Sequence, residues 1–322
     1  MVVVRSYFGL MCYLYIFYDI FIAQSMHPLY RHTQEIELST DKVIHVLKSK
    51  TKHSADAPKI ILIHGNPNSL VGMEDMLTEL SEFAECVALD LPGFGMSAVR
   101  QVTPETVGLD PHAEDVAVLI DYLGWTENVY LVGHSHGGAV AQTVAAEYPN
   151  KIKGIALLGT LGYPRQLSYR LLRLPAVGYW LKKFTTLFRY PMFQKLMRSA
   201  LVFGAKTVYA PQPIDEGTIE YQMQLLSIRP QISETMVKVS YNDPCEKLKK
   251  GAARIECPVL FIHGEKDKLV PLKYAQNIHK IIESSGGNTQ FETIPNAGHM
   301  LIDFQVEECT ALIRKFVSNQ RA

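Results

Sequence analysis

The chain has 322 residues, of which 47% are hydrophobic and 20% charged, so it holds enough apolar material for a sizeable buried core. Its formal net charge is zero, so no overall charge points to nucleic acid or to an acidic partner. The five cysteines are scattered without CxxC or Cys/His spacing, which argues against a disulfide framework and against a zinc site.

The N-terminal segment, residues 1–25, differs from the rest of the chain. Residues 7–23 are almost continuously apolar, which is typical of the hydrophobic part of a secretory signal. The stretch is short for a membrane anchor and carries Asp19. A signal, an anchor, and a segment absent from a working protein that begins at Met26 all stay open. The compartment stays open with them: cytoplasmic, membrane-associated or, with a signal, secreted.

Short apolar runs bounded by turn residues predict the strands of a sheet. Residues 35–49 alternate apolar and polar residues around a Ser-Thr-Asp turn, which predicts an antiparallel hairpin at a sheet edge. The run KIILIH at residues 59–64 is bounded by Pro58 and Gly65 and is typical of a fully buried strand. Further runs of this kind are at residues 86–91, 129–132, 155–158, 259–262 and, more weakly, 290–294.

Stretches with helical character separate most of these strands. They are at residues 70–83, 112–123, 138–147, 272–282 and 301–317. Strands that alternate with helices along a chain form parallel sheets with helices on both faces. The predicted fold class is therefore α/β, with a mainly parallel, doubly wound sheet.

One interval, residues 161–245, breaks this alternation. It is too long to be a structureless loop in a compact domain. Its apolar residues recur at helical spacing and are interrupted by prolines, which predicts a mostly helical cap inserted into the sheet domain. The chain is thus divided into the N-terminal segment 1–25, a first core part 26–160, the cap 161–245, and a second core part 246–322.

The sequence GHSHG, which follows the strand NVYLV and precedes a helical run, matches the pattern G-x-S-x-G. A strand that turns directly into a helix around a serine leaves no room for a Cβ atom at Gly133 or Gly137. Such a turn exposes the serine hydroxyl, so Ser135 is the predicted nucleophile. The flanking His134 and His136 are expected to pack or to form hydrogen bonds rather than to catalyse.

A serine hydroxyl needs a base to take its proton, and the base needs a group that orients it. The predicted base is His299, in a loop between the last strand and the last helix. Asp267, just beyond the strand VLFI, is the predicted acid, with Glu265 as the alternative. Both the acid and the base follow the carboxyl ends of strands, where the sites of open α/β sheets assemble.

Together these residues resemble the α/β-hydrolase superfamily, in which the chain order is Ser, acid, His. HGNP at residues 64–67 resembles its oxyanion loop, and DLPGFGMS at residues 90–97 resembles its DxPGxGxS motif. The resemblance covers residues 59–317 outside the cap. It implies that the backbone N–H groups of Asn66 and His136 form the oxyanion hole, and it implies no metal and no organic cofactor.

The HGNP loop also resembles haloalkane dehalogenases and some epoxide hydrolases. Those enzymes need an aspartate nucleophile where this chain has Ser135, and dehalogenases have a halide-binding tryptophan where it has His136. We therefore set both activities aside. Proline-iminopeptidase-like enzymes would need acidic cap residues to hold a substrate ammonium, and residues 161–214 contain no Asp or Glu.

Residues 161–214 are instead basic and aromatic. This is typical of helices that lie on anionic lipid, and equally of a solvated basic face above an apolar pocket wall. Both interpretations stay open. The nine basic residues are Arg165, Arg170, Arg173, Lys182, Lys183, Arg189, Lys195, Arg198 and Lys206.

We expect a serine hydrolase, resembling esterases and lipases, that cleaves a carboxylic ester of a hydrophobic acyl substrate through an acyl-enzyme on Ser135. The substrate would be a lipid or a lipophilic ester. The expected contacts are this substrate and a membrane surface, reached through the cap or the N-terminal segment, with no nucleic acid. A carbon–carbon bond hydrolase and a cofactor-free perhydrolase use the same triad, and a ligand-binding receptor can have the same fold. These alternatives stay open.

Overall fold

A computed structural model of the chain describes residues 26–162, 191–229, 231–239 and 244–320. The predictions for residues 1–25 and for residues 163–190 of the cap lie outside these ranges. Within them, no helix is both long and apolar enough to cross a membrane.

The described residues form one nine-stranded sheet. Its strands are β1 (Gln34–Ser39), β2 (Lys42–Lys48), β3 (Lys59–Ile63), β4 (Glu85–Leu89), β5 (Ala98–Val99), β6 (Val129–His134), β7 (Gly154–Leu158), β8 (Val259–Gly264) and β9 (Thr289–Ile294). Their order is β1-β2-β4-β3-β6-β7-β8-β9, and β5 pairs with β2. The predicted hairpin is confirmed, since β1 and β2 are antiparallel and β1 lies at the edge. From β4 to β9 all neighbours along this order are parallel.

The central strand β3 illustrates why these runs form a sheet interior. Successive side chains of a strand point to opposite faces. Ile61 and Ile63 join the apolar cluster on one face, while Ile60 and Leu62 join the cluster on the other. All four are 0% exposed. Burial of each stabilises the fold by roughly 1.5–3 kcal/mol, so the strand needs apolar residues at every position.

The helices within the described ranges are α1 (Glu74–Leu80), α2 (Leu109–Tyr122), α3 (His136–Glu147), α4 (Pro191–Tyr209), α5 (Glu216–Ile228), α6 (Gln231–Lys238), α7 (Pro244–Ala252), α8 (Leu272–Ser284), α9 (Leu301–Phe304) and α10 (Val306–Asn319). Two of the expected helices are interrupted. The helix expected at residues 70–83 opens with a 3-10 turn, whose first residue donates its backbone N–H to Asp90. The helix expected at residues 301–317 breaks at Gln305, where the backbone leaves helical angles (φ −128°, ψ 34°).

Between β7 and β8 the described residues are mainly helical, in helices α4 to α7. Helix α5 packs on the sheet domain, because Ile219 and Leu226 belong to the same apolar cluster as the sheet. Helix α4 contacts α5 and carries more exposed side chains. The division of the chain into core and cap at residues 161 and 245 stays a prediction.

Candidate active site

A sharp turn separates β6 from α3. The strand ends at His134, the helix begins at His136, and only Ser135 lies between them. Its backbone angles are φ 53° and ψ −113°, a conformation that a residue with a Cβ adopts only at an energetic cost. The surroundings hold it there, because the Ser135 N–H donates a hydrogen bond of 2.9 Å to the carbonyl oxygen of Leu158.

The two glycines of this turn have no room for a side chain. A Cβ on Gly133 would lie 2.4 Å from the carbonyl oxygen of Gly137. A Cβ on Gly137 would lie 2.1 Å from the carbonyl oxygen of Ile63. Both distances are far below van der Waals contact, so the predicted steric need for these glycines is confirmed. We call residues 133–137 the elbow.

His299 and Asp267 are joined by a short hydrogen bond. The distance from His299 Nδ1 to Asp267 Oδ2 is 2.8 Å, and both residues are buried. The other carboxylate oxygen accepts hydrogen bonds from the backbone N–H groups of Leu269 (2.9 Å) and Val270 (2.7 Å). This network fixes the carboxylate. A neutral His299 that donates through Nδ1 keeps a lone pair on Nε2, which is what a general base needs.

Two histidines flank the carboxylate of Asp267. The ring of His263 is near the same carboxylate oxygen as His299, with Nε2 3.4 Å from Oδ2. Burial by itself would raise the pKa of Asp267, but His299 and His263 outweigh burial and hold the pKa well below its usual range. The carboxylate therefore stays ionised at neutral pH and can stabilise positive charge on His299.

The loop of His299 lies against the elbow. Nε2 of His134 is 3.0 Å from the carbonyl oxygen of His299, and the two rings have centroids 4.8 Å apart. The structure thus brings Ser135, Asp267 and His299 to one edge of the sheet, just beyond the carboxyl ends of β6, β8 and β9. They are 6%, 7% and 2% exposed, respectively.

The alternative acid, Glu265, lies elsewhere. Its side chain is exposed and accepts a hydrogen bond of 3.1 Å from the backbone N–H of Asn296. It therefore helps to close the loop that leads to His299 and makes no described contact with the imidazole. The geometry favours Asp267 as the acid.

The two predicted oxyanion donors lie beside the elbow. His136 is the first residue of α3, where backbone N–H groups have no acceptor within the helix and point towards the positive end of the helix dipole. Asn66 follows β3, which pairs with β6 so that Ile63 lies opposite Gly133. A Cβ on the intervening Gly65 would come within 3.1 Å of Ser135 Cβ. The loop after β3 therefore packs closely against the serine.

His64 has a supporting role that the sequence analysis did not predict. Its Nε2 accepts a hydrogen bond of 3.0 Å from the backbone N–H of Leu91, and its Nδ1 donates one of 2.7 Å to the carbonyl oxygen of Gly65. Burial lowers its pKa to about 4, so the ring is neutral. His64 thereby joins the loop after β3 to the loop after β4. The position of His64 in the HGNP motif was the feature of the sequence from which this role could have been predicted.

Asp90 is a second residue with a supporting role that the sequence analysis did not predict. Its fully buried carboxylate accepts hydrogen bonds from Tyr30 Oη (2.8 Å), the Leu70 N–H (2.7 Å) and the Met96 N–H (2.8 Å). Burial raises its pKa to about 6 despite these donors. A Cβ on Gly95 would overlap this carboxylate, at 2.1 Å from Oδ2. The DLPGFGMS motif is therefore a carboxylate wrapped by its own loop.

The side chain of His136 is buried against His112. Its Nε2 lies 3.3 Å from Nδ1 of His112, and Nε2 of His112 donates to the carbonyl oxygen of Pro92 at 3.1 Å. Because the carbonyl accepts, Nδ1 of neutral His112 has no proton and accepts from His136. Both flanking histidines thus form hydrogen bonds, as predicted.

Metal-binding arrangements were searched within the ranges that the structure describes. No group of three or more His, Cys, Asp or Glu side chains there could hold a metal ion. The buried histidines around the elbow instead contact backbone groups, one another or Asp267. The chemistry that these residues themselves support is proton transfer to and from a serine hydroxyl.

Comparison with known proteins identifies the family of this arrangement. The model of the family described as "alpha/beta hydrolase fold" matches residues 58–305. This range includes the elbow, Asp267 and His299.

Two curated relatives and one solved structure are similar to most of this chain. A 2-hydroxy-6-oxononadienedioate/2-hydroxy-6-oxononatrienedioate hydrolase of Paraburkholderia phymatum is 26% identical over 83% of this chain and 96% of its own length. A pimeloyl-[acyl-carrier protein] methyl ester esterase of Neisseria meningitidis is 24% identical over 80% of this chain and 76% of its own. The solved structure of an esterase from Thermogutta terrifontis superposes with a TM-score of 0.67 at 21% identity, covering 90% of this chain and 99% of that one.

Proposed function

This chain belongs to the alpha/beta hydrolase family, and we propose that it is a serine hydrolase that cleaves a carboxylic ester of a hydrophobic acyl substrate. One observation carries the proposal: Ser135 occupies a strained turn at the N-terminus of α3, beside a buried Asp267–His299 pair. Strain that is maintained by close packing is a common feature of catalytic residues. The substrate class that we propose is a lipid or a lipophilic ester.

In the mechanism that we propose, each of these groups has a separate role. Nε2 of His299 takes the proton of the Ser135 hydroxyl as Oγ bonds to the ester carbonyl carbon. Asp267 stabilises the resulting imidazolium, and the N–H groups of Asn66 and His136 bind the oxyanion. His299 then gives its proton to the leaving alcohol, which breaks the ester bond and leaves an acyl-enzyme. Water, deprotonated by His299, releases the acid and restores the serine.

Two relatives support an ester as the scissile bond. The protein from Neisseria meningitidis is a methyl ester esterase by name, and the protein from Thermogutta terrifontis is an esterase. A serine nucleophile also suits this bond, because the acyl-enzyme is itself an ester that activated water can cleave.

A second candidate is cleavage of a carbon–carbon bond with the same three residues. The observation that favours it is the match to the hydrolase of Paraburkholderia phymatum, which spans 96% of that protein. Its named substrates are dienedioates and trienedioates, which carry two carboxylates. A hydrophobic ester carries none, so the two candidates differ in the charge that the substrate pocket must accept.

The deciding experiment is a chain-length series of p-nitrophenyl esters assayed beside a 2-hydroxy-6-oxo-dienedioate. We expect turnover of the esters, with kcat/KM highest for an acyl chain longer than acetyl and little cleavage of the dicarboxylate. Faster cleavage of the dienedioate would replace the ester proposal by the second candidate. Turnover of neither compound, together with no labelling by a fluorophosphonate, would indicate a binding protein on this fold.

We also propose that the predicted cap contacts lipid. Among the described residues of α4, Phe203 is 80% exposed, and the flanking Lys195 and Lys206 are exposed as well. Phe203 and Lys206 are three residues apart and are neighbours on the helix surface. Lys195, eight residues before Phe203, lies about two turns away on the same face. Lysine near anionic headgroups and an aromatic ring in the interface both favour binding to a membrane surface.

A further inference from the structure

We propose that His134, the residue before the serine, is a positioning residue that holds the His299 loop against the elbow. It would do so through the hydrogen bond from its side chain to the carbonyl oxygen of His299. The inference rests on the proposed serine hydrolase function and assigns a role to a side chain that does not touch the substrate.

The geometry of this contact is well defined. His134 is the last residue of β6 and is 2% exposed. Its Nε2 lies 3.0 Å from the carbonyl oxygen of His299, which also accepts a hydrogen bond of 2.9 Å from the backbone N–H of Leu301. The two donors match the two lone pairs of this oxygen. The backbone of the base is therefore held from the sheet side and from the helix side at once.

Hydrogen-bond logic fixes the tautomer of His134. A carbonyl oxygen can only accept, so Nε2 carries the proton, and in the neutral ring Nδ1 carries none. Burial lowers the pKa of His134 to about 3, with the nearby His299 acting in the same direction. The ring is therefore neutral under assay conditions, and its one contribution is to donate through Nε2.

The other ring nitrogen argues against a purely packing role. Nδ1 of His134 is buried and has no hydrogen-bond partner among the described residues. A buried acceptor without a partner costs stability, and an apolar side chain of similar size would avoid this cost. The bond to the His299 loop is thus the feature that distinguishes histidine from an apolar residue at this position.

The loop that carries His299 needs such a restraint. Its neighbour Gly298 has no side chain to anchor it, since a Cβ there would lie 2.0 Å from the carbonyl oxygen of Ala210. Asp267 holds the ring of His299 through Nδ1, and His134 holds its backbone. Other contacts hold the preceding residues of the loop, such as the hydrogen bond from the Lys266 N–H to the Ala297 carbonyl oxygen, but these two act on His299 itself. A displacement of about 1 Å in a catalytic group is enough to lower a rate by about 100-fold.

The test compares two substitutions at His134 with one control. His134→Gln keeps an N–H donor close to the position of Nε2, while His134→Met fills the space without a donor. The control is His279→Met on α8, because His279 also has a buried Nδ1 without a described partner and packs on Phe261 and Phe291, away from the elbow.

We expect His134→Met to lower kcat for a p-nitrophenyl ester by about 10- to 100-fold with KM within about twofold of wild type. His134→Gln should recover most of the lost rate, and His279→Met should leave the rate unchanged. Wild-type kcat in His134→Met, or equal losses in Met and Gln variants, would overturn the role. A loss of rate that follows the fall in Tm equally in all three variants would also overturn it.

Amide hydrogen exchange of residues 295–304, measured by mass spectrometry, tests the same idea without turnover. The segment should exchange faster in His134→Met than in His134→Gln or wild type, because its backbone loses a restraint. Unchanged exchange in an active enzyme would refute the positioning role. If the wild-type protein hydrolyses no substrate but the segment still exchanges faster in His134→Met, the proposed function is refuted and the positioning role is retained.

Discussion

The elbow and the helix pair α4 and α5 differ in how their polar side chains are held. Around Ser135, histidine rings, one carboxylate and backbone groups are buried and joined by directional hydrogen bonds. Between α4 and α5 the described polar contacts are ion pairs at the surface, of Arg198 with Glu216 and with Glu220. Directional hydrogen bonds fix the geometry of the elbow, whereas the charged side chains of α4 and α5 lie at the protein surface.

The free energies of these contacts differ accordingly. Removing one partner of a buried hydrogen bond costs about 1–3 kcal/mol, because the remaining group has lost water and gained nothing. An exposed ion pair contributes about 0–1 kcal/mol. Substitutions at the elbow should therefore change chemistry and stability strongly. Those on α4 should change binding to surfaces and leave the chemistry intact.

The largest expected effect is that of Ser135→Ala. It removes the proposed nucleophile, so kcat for p-nitrophenyl esters should fall by roughly 10⁴- to 10⁶-fold, and labelling by a fluorophosphonate should disappear. The fold should persist, because alanine removes only a hydroxyl. Labelling at full strength in a folded variant would place the nucleophile elsewhere.

The next effect separates the two candidate acids. Asp267→Asn should lower kcat by up to about 10⁴-fold, because the amide no longer favours the correct tautomer of His299 and no longer stabilises its charged form. Glu265→Gln should change kcat by less than about threefold, since Glu265 is exposed and its described hydrogen bond is to the Asn296 backbone. Kinetics on both variants decide the assignment. A more damaging Glu265→Gln would reverse it.

Asp267 also makes stability depend on pH. Its pKa is lowered in the folded protein, so it binds a proton less readily when folded than when unfolded. Its contribution is therefore fully present above the unfolded pKa of about 3.9 and is lost as the pH falls through the lower folded pKa. The free energy of unfolding of the wild-type protein should exceed that of Asp267→Asn most at pH 6–7. The difference between the two proteins should be smaller near pH 3. A constant difference would contradict this sign.

Two glycine substitutions sharpen the contrast between the regions. Gly137→Ala should destabilise the protein by about 1–3 kcal/mol or prevent folding, because the Cβ would overlap the Ile63 carbonyl oxygen. At Gly204 on α4, none of the described residues has an atom within 4 Å of an added Cβ, so Gly204→Ala should stabilise the helix by about 0.5–1 kcal/mol. Urea unfolding measures both changes. The comparison fails if the two variants shift stability in the same direction.

The smallest expected effect concerns the lipid surface. Lys195→Gln with Lys206→Gln should weaken co-sedimentation with anionic vesicles several-fold, and Phe203→Ser should weaken it with anionic and neutral vesicles alike. The lysine contribution should fade with salt, since the Debye length is about 8 Å at physiological ionic strength. Hydrolysis of a short soluble ester is the internal control and should not change.

If all the variants bind vesicles equally well, the proposal that α4 contacts the membrane surface is wrong. It would leave residues 1–25 and 163–190 as the parts of the chain to test. Loss of ester hydrolysis in parallel with loss of binding would mean that α4 also supports the catalytic region.

The sequence predicted the parts of the site that depend on short stretches of chain. The requirement for Gly133 and Gly137 follows from a single tight turn. The strands are predicted from short runs of consecutive apolar residues. The breaks in the helices at residues 70–83 and at Gln305 were missed. At the first break, the Leu70 N–H donates a hydrogen bond to Asp90, which lies in another loop. The spacing of apolar residues along the chain cannot predict such a contact.

The residue types and their order along the chain were thus enough to propose Ser135, Asp267 and His299 as candidate catalytic residues. Only the tertiary structure decided which groups support them. His134 and His299 are 165 positions apart, and Asp267 and His299 are 32 apart. A hydrogen bond over such a separation depends on strand order and on loop placement within a few tenths of an ångström. Composition and spacing determine neither, because hydrogen bonds are directional and short-ranged whereas apolar burial is not.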